Sequence, residues 1–121
     1  MEHGCVCIVL EYMDSGTLQQ FIRRGQALSE PCLAVVVRAV LRGLLELHER
    51  SELHRDIKPS NILLDSWGCV KISDFGLSRR LDTASLAETW VGTYLYMSPE
   101  RINQEPYSYP SDIWSLGLVE L

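Results

Sequence analysis

Three short strings hold the residue types that chemistry needs: His54-Arg55-Asp56-Ile57-Lys58-Pro59-Ser60-Asn61, Asp74-Phe75-Gly76 and Ser98-Pro99-Glu100. Asp56 supplies a loop carboxylate that can accept a proton from a hydroxyl. Lys58, two positions on, can neutralise negative charge building on a group in transfer. Asn61 and Asp74 offer hard oxygen donors of the kind a divalent cation such as calcium or magnesium takes. Between them, Ile62-Leu63-Leu64 and Cys69-Val70-Lys71-Ile72 flank Asp65-Ser66-Trp67-Gly68, a pattern that predicts a short hairpin. Such a hairpin returns residue 74 to the neighbourhood of residue 61. Taken singly, Asp56 and Asp74 fit ordinary turn residues and Lys58 a solvated charge. Their order, their separations and the intervening hairpin point to one site.

The elements that must position that site are legible on either side. Residues 5–13 are apolar and β-branched enough to predict a strand, closed by the turn signal Asp14-Ser15-Gly16. Thr17-Leu18-Gln19-Gln20 reads as a capping box, opening a short helix with Leu18, Phe21 and Ile22 on its apolar side and Gly25 at its stop. Ser29, with Pro31 in the first turn, predicts the start of the longest helix. Leu33, Val36, Val37, Val40, Leu44 and Leu47 recur there at helical spacing, with Arg38, Arg42 and Glu49 on the other side. Glu46 stands four residues from both Arg42 and Arg50, a spacing for weak surface pairs. Residues 76–98 lack periodicity and are expected to form a long loop, and a final apolar helix is expected from about Ser111 onward.

Composition sets outer limits. The 121 residues suffice for one domain, and 46% apolar with 22% charged residues is a globular balance. Nine arginines and two lysines against 16 acidic residues give a net charge of −5, which argues against nucleic acid or an anionic membrane as partner. The longest apolar runs, at 5–10 and 32–37, fall far short of a bilayer span. Met1-Glu2-His3-Gly4 has no signal-peptide character, and the four cysteines show neither CxxC nor zinc spacing. The expectation is a cytoplasmic protein with reduced thiols.

The ordered strings HRDIKPSN, DFG and SPE resemble the catalytic domain of eukaryotic protein kinases across essentially the whole chain. The resemblance implies a partial kinase-like α+β fold. Residues 1–13 would be the last small-lobe strand and the hinge, and 14–121 an incomplete, mainly helical large lobe. It implies ATP and Mg2+ as cofactors. Asp56 would accept the substrate hydroxyl proton, Lys58 would stabilise the phosphoryl group in transfer, and Asn61 and Asp74 would hold the metal. Leu10-Glu11-Tyr12-Met13 looks like the hinge, with backbone groups of Glu11 and Met13 on the adenine edge; a plain core strand is the other reading. Leu10 would guard the pocket behind the ring and Leu63 would form its floor. His54, Arg55, Phe75, Gly76, Glu100 and Asp112 look like support: His54 packing locally, Phe75 as an apolar plug, Arg55 meeting a phosphorylated loop residue.

Lys58 in this loop is similar to serine/threonine kinases, and residues 91–102 look most like MAP kinase kinases, which phosphorylate both Thr and Tyr of a MAP kinase activation loop. Ser85 and Thr89 match that family's paired activating phosphosites, facing Arg55 and Arg79 or Arg80. The partners implied are ATP, a MAP kinase as protein substrate, and an upstream activating kinase. Arg79-Arg80, a longer approach to Ser85, and Tyr94-Leu95 depart from the usual pattern, so no dedicated substrate is assigned. Neither Lys58 nor Lys71 can be the strand lysine of a kinase, and no glycine-rich phosphate cover is present, so the isolated chain is expected to be inactive. Glu100 is expected to be a buried carboxylate lacking its family partner, at a cost of about 3–5 kcal/mol. A noncatalytic kinase-like module that engages a MAP kinase or another kinase is the second reading. A small-molecule phosphotransferase fits the SPE string and the Ser85/Thr89 loop less well.

Overall fold

The computed structural model describes residues 7–25, 27–75 and 94–119. In chain order these form strand β1 (Gly16–Thr17), helix α1 (Leu18–Arg23), helix α2 (Glu30–Glu49), a 3₁₀ turn (Pro59–Asn61), strands β2 (Ile62–Leu64) and β3 (Val70–Ile72), and helices α3 (Pro99–Ile102) and α4 (Pro110–Val119). The sheet is antiparallel in the order β1-β2-β3.

Local rules account for most boundaries. The capping box forms as expected: the Gln20 amide donates to Thr17 Oγ1 at 3.2 Å, and the Thr17 amide donates to Gln20 Oε1 at 3.0 Å. That returning amide fills the space where a side chain on Gly16 would begin, 2.2 Å from an ideal Cβ. Ser29 occupies the N-cap of α2 but its hydroxyl makes no capping bond, so Pro31 and the extended Ser29 backbone set this start. Of the two expected surface pairs, Glu46–Arg50 forms, at 3.7 Å between exposed groups. The predicted hairpin is present, with Ile62 opposite Ile72 and Leu64 opposite Val70. Its turn is tied by Asp65 Oδ1, which accepts from the amides of Trp67 at 2.9 Å and Cys69 at 2.7 Å.

One expectation needs correction. Residues 7–13 form no strand, and Ile8, Val9, Leu10 and Tyr12 are exposed; a strand needs a ladder partner, and none is supplied among the described residues. The sheet gains its third strand from Gly16–Thr17, residues that also form the expected turn and cap.

One core binds these pieces. Val36, Val40 and Leu44 of α2 pack with Ile62 and Ile72 of the hairpin, Leu18 of α1, Ile57, and Leu116 of α4. Each fully buried aliphatic side chain contributes about 1.5–3 kcal/mol. Gly43 lets α2 approach the sheet: a Cβ there would lie 2.9 Å from Ile72 Cδ1 and 3.2 Å from Ile72 Cγ1. The sheet's other face carries Leu63 and Lys71, directly opposite one another. Among the described residues no helix is long and apolar enough to cross a membrane.

Candidate active site

The 3₁₀ turn opens with Pro59, whose fixed φ suits a first helical position, and it delivers Asn61 to the start of β2 almost fully buried. There the Asn61 amide nitrogen donates to the Asp56 backbone carbonyl at 2.8 Å and to Asp56 Oδ2 at 2.9 Å. Lys58 Nζ reaches the same carboxylate oxygen at 2.9 Å. Three of the residues singled out from sequence therefore converge on one atom. With its nitrogen committed to Asp56, the group Asn61 has left to offer a ligand is its carbonyl oxygen.

Asp74 comes near through the backbone. Beyond the last ladder pair, the Ser73 amide donates to the Asn61 carbonyl at 2.9 Å, which ties the ends of the hairpin together just before Asp74. Asp74 itself is exposed, has φ +64, and accepts from Ser73 Oγ at 3.4 Å. A carboxylate and an amide oxygen are the donor types magnesium takes when substrate phosphates and water complete its octahedron. Asn61 and Asp74 carry donors of those two types at the two ends of the hairpin, and among the described residues no group of three or more His, Cys, Asp or Glu is gathered for a metal.

The loop that carries Asp56 is held from behind. The Asp56 amide donates to His54 Nδ1 at 3.3 Å, so the ring proton sits on Nε2 and is donated to the Ser73 carbonyl at 2.9 Å. Both nitrogens of this buried ring are committed, and neither is available as a base. Asp112, 2% exposed on α4, accepts from the His54 amide at 2.9 Å, the Arg55 amide at 2.8 Å and His48 Nε2 at 3.0 Å. Arg55 has φ +70, a conformation that costs a long side chain about 1–2 kcal/mol. Such strain persists only where the surroundings impose it.

Other expected positions come out differently. Leu10 is 79% exposed, so it guards no pocket among the described residues. Phe75 is 54% exposed rather than a plug; it meets the His54 ring edge-on at 5.5 Å and lines an open cleft with Gly43, Glu46, Leu47, Arg50 and Glu52. Glu100 is not an orphaned buried carboxylate: it is half-buried and accepts a hydrogen bond from the Ser111 hydroxyl. That bond, then backbone and Ser98 donors, hold its pKa below the usual carboxylate range. In the expected hinge, Met13 is buried and its carbonyl accepts from the Gly16 amide at 3.3 Å, while the Glu11 carboxylate pairs with Lys71. Leu63 stands half-buried on the sheet face away from the core. Gly76, Arg79, Arg80, Ser85 and Thr89 lie outside the described residues.

Sequence reasoning missed Arg101, Tyr107 and His48. Arg101 Nη1 donates to the Arg55 carbonyl at 2.6 Å, and the guanidinium carbons of Arg55 and Arg101 lie 5.7 and 5.3 Å from the Tyr107 ring centre. The one available signal was the position of Arg101, directly after Glu100.

A family model for the protein kinase domain matches residues 1–121. The mitogen-activated protein kinase kinase SIPKK of Nicotiana tabacum is 52% identical over 122 residues, covering 99% of this chain and 34% of that protein. Mitogen-activated protein kinase kinase 2 of Arabidopsis thaliana is 51% identical, with the same coverage of each. The MAP kinase kinase MKK1/SSP32 of Saccharomyces cerevisiae is 48% identical over 99% of this chain and 24% of its own length. The chain thus spans about a third of the plant relatives and a quarter of the yeast one.

Proposed function

This chain belongs to the protein kinase domain family, and from that premise we propose that it supplies the reactive loop, the metal-holding pair and the adenine-contacting segment of an ATP-dependent protein kinase. What supports this most directly is the meeting of Lys58 and Asn61 on Asp56 Oδ2. Asp56 orients the attacking hydroxyl and takes its proton, and Lys58, beside it, meets the charge that develops on the phosphoryl oxygens. Asn61 and Asp74 would hold Mg2+, which, with ATP, supplies the transferable phosphoryl group and the charge that restrains it. Backbone groups of Glu11 and Met13 contact the adenine, with Leu63 beneath. The acceptor is a protein Ser or Thr; the relatives' names make a MAP kinase the substrate to try first, and the family resemblance makes its activation-loop Thr and Tyr the acceptors. An upstream kinase acts on Ser85 and Thr89 to switch the site on.

The test is a chimera in which residues 1–121 replace the matching stretch of the tobacco relative. Phosphate transfer to a MAP kinase that disappears on Asp74→Ala is the expected result. A folded chimera that transfers none would overturn the reading.

A further inference from the structure

Arg55 stands in the left-handed region immediately before Asp56. Asn or Asp can bond its own backbone there, but an arginine side chain has no such local compensation, so the conformation must be imposed from outside. On its amide side the agent is Asp112, at 2.8 Å. On its carbonyl side the agent is Arg101, whose Nη1 donates at 2.6 Å. That carbonyl belongs to the planar peptide joining Arg55 to Asp56. The opposite edge of the same peptide is the Asp56 amide, which donates to His54 Nδ1 at 3.3 Å. Both edges of the plane that carries Asp56 are thereby gripped by side chains. Arg101 is in turn oriented by the Tyr107 ring beneath it, at 5.3 Å. Nor is it merely a partner for its neighbour, since Glu100 takes its hydrogen bond from Ser111.

We propose that Arg101 is a positioning residue: by holding the Arg55–Asp56 peptide it sets the direction of the Asp56 carboxylate, and Tyr107 steadies it in that task. The consequence for turnover rests on the kinase reading above, whereas the geometric claim does not.

Nuclear magnetic resonance of the labelled 121-residue chain reads φ at Arg55 through the three-bond HN–Hα coupling and the Cα shift. Arg101→Met keeps the stem and removes the donor; Arg101→Lys keeps a donor. The left-handed signature is expected to vanish in the first and survive in the second, with hydrogen exchange of the α2 amides unchanged in both. In the chimera, Arg101→Met is expected to lower kcat about tenfold or more with KM for ATP within about twofold, and Arg101→Lys to recover most of the loss. An unchanged Arg55 signature in the Met variant, or an unchanged kcat, overturns the proposal. A parent chimera without activity overturns the kinase reading instead, and the Arg55 signature then decides this one.

Discussion

Replacing Asp112 should unfasten the loop at His54 and Arg55 from the helical layer, and the size of the loss can be worked from its three bonds. The carboxylate accepts from the His54 and Arg55 amides and from His48 Nε2, all at 3.0 Å or less, while almost wholly shielded from water. Asp112→Ala leaves two amides buried with no acceptor, each costing about 1–3 kcal/mol. Together the two orphaned amides make the loss about 2–6 kcal/mol. Against a typical stability of about 5–15 kcal/mol, that is a large fraction. Asp112→Asn keeps the shape and one acceptor oxygen but turns an NH2 toward a donor, so about half the loss, roughly 2 kcal/mol, is expected. Urea unfolding followed by circular dichroism gives the order, aspartate over asparagine over alanine. Amide hydrogen exchange should show His54 and Arg55 losing protection before the α2 amides do. An asparagine variant as stable as the parent, or unchanged protection at those two amides, would refute the reasoning.

Two further outcomes follow from the packing and the turn. Gly43→Ala improves helix propensity by about 1 kcal/mol, yet places a Cβ 2.9 Å from Ile72 Cδ1, so a net loss of about 1 kcal/mol is expected by thermal melting. In an Ile72→Val background, where that methyl is gone, the same change should be neutral or stabilising; equal losses in both backgrounds would rule the contact out as the cause. The Asp14 carboxylate accepts from the Ser66 hydroxyl at 2.6 Å and the Ser66 amide at 2.7 Å, and these bonds, the hydroxyl first, hold its pKa below the ordinary aspartate range. A depressed folded-state value means the contribution is present above the unfolded-state pKa and is lost as pH falls through the folded-state one. Carboxyl 13C titration of Ser66→Ala should therefore show Asp14 titrating at higher pH than in the parent, and an unmoved midpoint would deny the bond its role.

Where the physics is local, the sequence was an adequate guide. The capping box at Thr17 and Gln20, the buried stripe of α2 and the hairpin register each depend on residues within a turn or two of one another. The meeting of Asp56, Lys58 and Asn61 belongs to the same class, since a single 3₁₀ turn closes it. What stayed hidden depends on long-range partners. Gly16 and Thr17 are turn and cap, but that they also pair as a strand depends on Leu64 and Leu63 lying beside them. Residues 7–13 have the composition of a strand, but composition cannot provide the neighbour that a ladder requires. Glu100 has no charged partner legible in the sequence because the group that meets it, the Ser111 hydroxyl, is neutral.

The clamp on His54 and Arg55 comes from a residue 58 and 57 positions later in the chain. The hairpin can form within microseconds of leaving the ribosome, because its strands are adjacent. The loop beside it must wait for α4 to be synthesised and docked, since closing so long a loop is the slow step. A nascent chain therefore carries its acid and its lysine through much of synthesis without the frame that aims them. Completion of the helical layer is what closes the hydrogen bonds around the loop that carries Asp56 and Lys58.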